Sequence, residues 1–394
     1  MSRIGFIAAR FGDGVVGGAE AVLADVAFGL AARGHQCDIL TTCARDHFTW
    51  ENVFPAGVEL HGDVTVHRFP AVISTAGAER GRVEALIQSG SIVSVIDQER
   101  WMNDGVRVPE LFHYVLDHRS VYDAFVVGPY MFWPTYACGL IAPQQTVFMP
   151  CYHDEPYARL DLFRTLFGGS AGTWFLSEPE AELARQLQPN IGPHAVVGAP
   201  VAIPGSYDPD GFRARNAITR PYVLFAGRRE GAKGWERFVE MFAAAVNRFD
   251  LPFALVTMGT GTVIAPPGLE DRVIDLGFCT EKDRNDAMAG AAVYVQPSAL
   301  ESFSLTVLEA WLAGTLVVAN GGSDVVAWHC ERSNAGLLYD DEYEFAECLR
   351  FVAEAPERAA TISARGRGYV LEHYARDHVL DEMERSLKTW GLAQ

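Results

Sequence analysis

At 394 residues the chain is too long for one ordinary core, and 49% apolar against 21% charged residues excludes disorder and leaves apolar mass for two domains. A net charge of -18 excludes reliance on long basic surfaces, so nucleic acid is not an expected partner; the acidic excess reads as solvated faces. Seven scattered cysteines without a C-x-x-C pair, no run near the roughly 18 apolar residues of a membrane span, and an N-terminus that enters a strand without a secretory leader point to a cytoplasmic protein.

In chain order, short apolar runs predict strands at 4–9, 37–41, 64–69, 124–127, 146–149, 173–176 and 195–197. Between the first two, AEAVLADVAFGLAARGH sets Val22, Leu23, Val26, Ala27 and Leu30 on one helical face and stops at Gly34, which makes a βαβ unit. Residues 198–221 concentrate Gly, Pro and Asp with little periodicity and read as an inter-domain connection. Alternation then restarts, with strands at 222–225, 253–257, 273–276, 293–295, 316–318 and 336–339 and helices at 235–246, 281–289 and 305–313. From about Glu342 only helical patterns remain, and no repeat or low-complexity tract is found. The fold class is α/β with parallel sheets covered on both faces.

The stretch GDGVVGGAE, Gly12 to Glu20, spells G-x-G-x-x-G between a strand and a helix. A dinucleotide site also needs an acid at the end of the second strand to hold the ribose, but there the chain has Thr41 and Thr42, with Asp38 at the strand's beginning. Gly17 and Gly18 still suit a phosphate approaching the first amides of the helix, or simply a tight turn.

In the second half, strand YVLFAG runs into RREGAKG, which sets Arg228 and Lys233 at the carboxyl end of a parallel strand, where two cations can clamp a diphosphate or stand as plain surface charges. Further on, QPSALESFSLTVLEAWLAG carries Glu301 and Glu309 seven residues apart. With a helix starting near Ser304, the amides of Phe303, Ser304 and Leu305 point from its positive end, and Glu309 can accept hydrogen bonds from sugar hydroxyls, the plain alternative being that both acids are helix-surface charges.

GRREGAKG and ESFSLTVLEAWLAGTLVVA resemble the Gly-Arg…Lys-Gly and Glu-x7-Glu motifs of retaining glycosyltransferases with the GT-B fold, family 4 (glycosyl transferases group 1). The opening βαβ unit, PCYHDEPY, SEPEAELARQL, the hinge GAPVAIP and LGFCTEKDRNDAMAGAAVYVQPS are similar to that family in the same order, most weakly over 71–120. The resemblance implies two doubly wound Rossmann-like domains facing across a cleft. The N-terminal acceptor side would span 1–203 and the donor domain 204–374, with a helix in 375–394 packing back on the first domain. Arg228 and Lys233 would hold the donor diphosphate, Glu309 the ribose and Glu301 the sugar ring. Phe303, Ser304, Leu305, Phe278, Gly17 and Gly18 would complete the donor contacts, Ser304 standing where the family often has glycine.

His153 matches the family's histidine near the reacting sugar, while Asp154, Glu155 and Tyr130 are candidates for acceptor binding, and the aromatic block 98–140 reads as either stacking faces or core. No nucleophile-plus-acid pair of carboxylates stands out. No cofactor or metal is expected; Asp208-Pro209-Asp210 reads as a turn in the hinge. The expected partners are a nucleotide sugar of UDP or GDP type and a sugar or glycolipid acceptor, with weak peripheral membrane contact left open. A sugar-nucleotide epimerase of the same fold and a silent nucleotide-sugar-binding protein are the alternatives.

Overall fold

Apolar, β-branched runs can be buried on both faces, and in the first 200 residues such runs form the centre of an eight-stranded sheet, beside a two-stranded one pairing Val72–Ile73 with Val106–Arg107. The computed structural model of the protein describes residues 1–74 and 77–393 and divides into two units, Met1–Pro200 with Arg376–Gln394, and Val201–Ala375. In the first unit, β1 (Arg3–Ala8), β2 (Gln36–Thr42), β3 (Gly57–His61), β4 (Val64–Phe69), β5 (Ala124–Gly128), β6 (Thr146–Phe148), β7 (Gly172–Phe175) and β8 (His194–Val196) lie in the order β8-β7-β6-β5-β1-β2-β4-β3. Each pairs parallel to its neighbours except β3, which runs antiparallel to β4 along the edge. Ile4 of β1 faces Cys37 on one side and Ala124 on the other, so the winding reverses at β1. The helix Gly18–Ala32 covers this point and buries Val22, Leu23, Val26, Ala27 and Leu30, as its spacing predicts.

Between β4 and β5 the chain forms helices Gly77–Gln88, Val95–Asn103 and Pro109–His118. Of the aromatic block, Trp101, Tyr122, Phe125 and Tyr130 are core residues, with Phe112, Tyr114, Trp133 and Tyr136 packed partly buried against them. The last helix, Arg376–Thr389, belongs to this unit: Leu380 fits against Gly29, where a Cβ would stand 2.5 Å from its Cδ1, and Ser386 Oγ accepts from Trp174 Nε1 at 2.6 Å.

The second unit has β9 (Tyr222–Ala226), β10 (Ala254–Met258), β11 (Val273–Asp275), β12 (Val293–Gln296), β13 (Val317–Asn320) and β14 (Gly336–Tyr339) in the order β11-β10-β9-β12-β13-β14, all parallel. Both sheets are doubly wound, and both units are Rossmann-like. One expectation is corrected here. The stretch 198–221 is not plain linker, because it contains the helix Pro209–Arg215, and Asp208 is that helix's N-cap, accepting from Gly211 N, where a turn was expected. Arg215 reaches Asp208 and Asp286, fixing this helix to Glu281–Gly290. Among the described residues no helix is long and apolar enough to cross a membrane, and all seven cysteines are free.

Candidate active site

In the second unit the winding reverses between β9 and β12, so the loops leaving their carboxyl ends rise side by side. The loop after β9 carries Arg228, whose Nη1 is 3.2 Å from Glu230 Oε1, and a 3₁₀ turn Gly231–Lys233. Gly234 then adopts φ 69°, and a Cβ there would stand 2.6 Å from the carbonyl oxygen of Pro297 in the loop after β12; only glycine permits both. The close approach lets Lys233 Nζ reach Glu301 Oε1 at 2.7 Å, with the two side chains 29% and 11% exposed. Arg229, next to Arg228, is instead a brace: its buried guanidinium donates to Thr257 Oγ1, Gly259 O and Asp275.

The helix Leu305–Leu312 starts at Ser304, which sits at φ 65°, ψ 62° and caps no amide with its side chain. That left-handed conformation favours glycine, and here a hydrogen bond from Gln296 Nε2 to Ser304 Oγ, 2.8 Å long, supports the serine. The Phe303 ring is buried against His329 and Tyr374, so only its main chain is available for a ligand. Glu309, inside the helix, meets Arg284 Nη2 through Oε1 at 2.8 Å. Burial raises its carboxyl above the ordinary range, and the Arg284 charge opposes that rise. Phe278 stands 65% exposed in the loop after β11.

In the first unit, His153 Nδ1 lies 3.3 Å from Glu155 Oε1, within ion-pair reach but off hydrogen-bond geometry. Glu155 accepts from the buried Tyr130 hydroxyl, so Tyr130 acts on this loop through Glu155 and offers no exposed face. Asp154 points outward to Arg159 at 2.6 Å. At the glycine loop, a Cβ on Gly17 would overlap the Glu20 carboxylate, whereas one on Gly18 meets no atom within 4 Å. The chain itself therefore requires glycine at 17, and at 18 leaves open space. Asp38 is engaged by Arg3 and Tyr122 at 2.7 Å each, which keeps it in the fabric of the sheet.

Sequence reasoning missed Arg10, Glu20, Glu180 and Arg284. Arg10 and Glu20 form a buried ion pair beneath Gly17, and the acid two places after the double glycine is the signal that could have revealed it. Glu180 is buried and accepts the amides of Tyr152 and Leu176, bracing the loop that leads into His153; its S-x-x-E spacing from Ser177 is a capping box. Arg284 had no local signal. Among the described residues no three His, Cys, Asp or Glu side chains gather as metal ligands.

Residues 220–354 match the family model described as glycosyl transferases group 1. The chain is 31% identical over 170 residues to a D-inositol 3-phosphate glycosyltransferase of Pseudarthrobacter chlorophenolicus, covering 38% of this chain and 39% of that protein. It is 28% identical over 139 residues to a 2-deoxystreptamine glucosyltransferase of Streptomyces kanamyceticus, covering 30% of this chain and 36% of that one. These matches thus span well under half the length of the curated relatives. In fold it is similar to sucrose-phosphate synthase from Thermosynechococcus elongatus, with a TM-score of 0.74, 18% identity and 100% of both chains covered. It is also similar to Anabaena HepE, solved in complex with UDP and glucose, with a TM-score of 0.71, 17% identity, and 99% and 100% covered. Over residues 220–354, then, the chain is similar to the glycosyl transferases group 1 family, and the resemblance read from the sequence motifs holds at that level.

Proposed function

We propose that the protein is a retaining glycosyltransferase that moves a sugar from a UDP- or GDP-type nucleotide sugar to a hydroxyl of a glycan, lipid-linked or small-molecule acceptor, without a metal. The observation that carries this reading is the pairing of Lys233 with Glu301 across the two loops of the switch point, beside Arg228 and an uncapped helix start. Cations and helix-start amides in that position suit a diphosphate, and they stabilise the charge that develops on it as the sugar leaves. The family match over 220–354, the two relatives named as glycosyl- and glucosyltransferases, and HepE solved with UDP and glucose support a nucleotide-sugar donor.

In the proposed reaction the bond from the sugar's anomeric carbon to the diphosphate breaks and the bond to the acceptor oxygen forms on the same face. The acceptor proton passes to the leaving phosphate oxygen, so the protein's task is positioning and charge stabilisation. His153, within ion-pair reach of Glu155, would hydrogen-bond the reacting sugar, and Glu301 would hold its ring. The test is incubation with a panel of nucleotide sugars, with and without acceptors, following nucleoside diphosphate release and the product's anomeric configuration by NMR. Acceptor-dependent release with retained configuration supports the proposal. Inverted product, or conversion of donor alone into an epimer, refutes it.

A further inference from the structure

The helix Leu305–Leu312 begins without a side-chain cap and with Ser304 in a left-handed conformation, so groups outside it must hold its first amides in place. The ring of Phe303, just before the helix, is 3% exposed and meets two others edge-on, His329 at 5.2 Å and Tyr374 at 5.1 Å between centroids. His329 comes from the helix Asp324–Ser333 and Tyr369 from the helix Pro356–His373, which Tyr374 directly follows. His329 Nδ1 lies 2.9 Å from Tyr369 Oη, and Tyr369 Oη lies 3.1 Å from Tyr374 Oη. A hydrogen-bonded chain therefore joins the two rings that face Phe303. The rings of His329 and Tyr369 also lie 6.5 and 5.9 Å from that of Trp311, inside the helix.

His329 is fully buried, and burial lowers it to about 3; the Phe303 main chain opposes that fall and Arg332 adds to it. The ring is neutral near pH 7 and carries one N–H. With Tyr374 donating to Tyr369 and Tyr369 to Nδ1, that proton sits on Nε2, which is buried and closes no hydrogen bond. A leucine would bury apolar surface here without an unmet nitrogen, so packing alone gives no reason for a histidine. We infer that His329 is a positioning residue of the donor site: with Tyr369 and Tyr374 it clamps the Phe303 ring and fixes the amides of Phe303, Ser304 and Leu305 where a diphosphate meets them. The inference rests on the donor-site reading proposed above. Amides fixed in advance need no reordering when the anion arrives, and so contribute more to its binding.

The test is calorimetric titration of UDP, UMP, GDP and GMP into the parent protein, His329→Leu, His329→Gln and Tyr369→Phe. The parent should bind one diphosphate about tenfold or more tightly than its monophosphate. His329→Leu should cut that advantage to within about threefold while the monophosphate affinity changes little, because the loss falls on what the second phosphate adds. His329→Gln offers a donor and an acceptor in place of the ring nitrogens and should restore part of the advantage. Tyr369→Phe removes one oxygen from the chain, should lower the advantage by about threefold, and carries the test if the Leu variant does not fold. If the advantage survives in Tyr369→Phe and in the folded His329→Leu, or if both affinities fall by the same factor, the role of His329 is overturned and the donor site stands. If neither diphosphate binds the parent more tightly than its monophosphate, the donor-site reading beneath it falls.

Discussion

Lys233 Nζ lies 2.7 Å from Glu301 Oε1, a contact between residues 68 positions apart that ties the loop after β9 to the loop after β12. A donor diphosphate would compete with Glu301 for that cation. Lys233→Ala should therefore weaken nucleoside diphosphate binding by about tenfold or more, since it removes a charge and leaves a carboxylate facing phosphate. Glu301→Gln should keep that binding and lower turnover of the nucleotide sugar. Titration calorimetry with initial rates separates the two, and equal loss of binding in both variants would contradict the assignment. Folding stability should move little in either, because partly exposed ion pairs contribute only about 0–1 kcal/mol.

Ser304 poses a balance of opposing terms. Its left-handed backbone costs a non-glycine residue roughly 1–2 kcal/mol. Glycine there would relieve that strain but lose about 0.5–1 kcal/mol in chain entropy, together with the hydrogen bond from Gln296, on the order of 1 kcal/mol. Ser304→Gly should accordingly stay within about 1 kcal/mol of the parent in urea unfolding. Ser304→Val, which loses the bond and crowds the same backbone, should cost about 2 kcal/mol or more. A Val variant as stable as the Gly variant would show that the left-handed conformation is not held in solution.

Burial pushes the Glu180 carboxyl up to about 8 from an ordinary 4.5, although the amides of Tyr152, Leu176 and Ser177 pull it down. Between those two values the folded protein keeps a proton that the unfolded chain has released. Stability should thus fall as pH rises from about 4.5 through about 8 and level off above. Glu180→Gln cannot ionise and should lose that slope. Urea denaturation of both proteins across this range should show the parent losing stability relative to the variant as pH climbs; parallel curves would contradict the raised carboxyl.

Tyr130 donates to Glu155, whose carboxylate lies within ion-pair reach of His153. His153→Ala should lower kcat by about 10²-fold or more while the donor dissociation constant changes less than about threefold, as for a group that acts at the reacting sugar. Tyr130→Phe should lower kcat less, in the same direction, by removing a bond to Glu155. Donor binding measured beside single-turnover rates checks both. A kcat unchanged in His153→Ala would remove this loop from the mechanism.

What was legible in the sequence follows how local each feature is. The fully buried run Tyr222–Ala226 and the spacing of Val22, Val26 and Leu30 announce a central strand and a covering helix, because burial alone sets their patterns. Gly57–His61 left no such trace, being an edge strand whose Val58 and Leu60 are exposed. Pro209–Arg215 was obscured by the Pro, Gly and Asp that cap and begin it, with Phe212 alone buried. The cations and acids of the site were readable as motif positions, yet their pairing was not. Lys233 with Glu301 and Arg284 with Glu309 join different strands and helices, and no residue spacing encodes which oxygen is taken and which is left.

The central claim is that Arg228 and Lys233 grip a nucleoside diphosphate, and thermal unfolding with a panel of UDP, GDP, ADP and NAD tests it most directly. At about a hundred times its dissociation constant a bound nucleotide adds roughly 2.7 kcal/mol, enough to raise the melting temperature by several degrees. The account predicts such a rise with UDP or GDP in the parent and its loss in Arg228→Ala and Lys233→Ala. A rise with NAD and with no nucleoside diphosphate, or an undiminished rise in both variants, would contradict it.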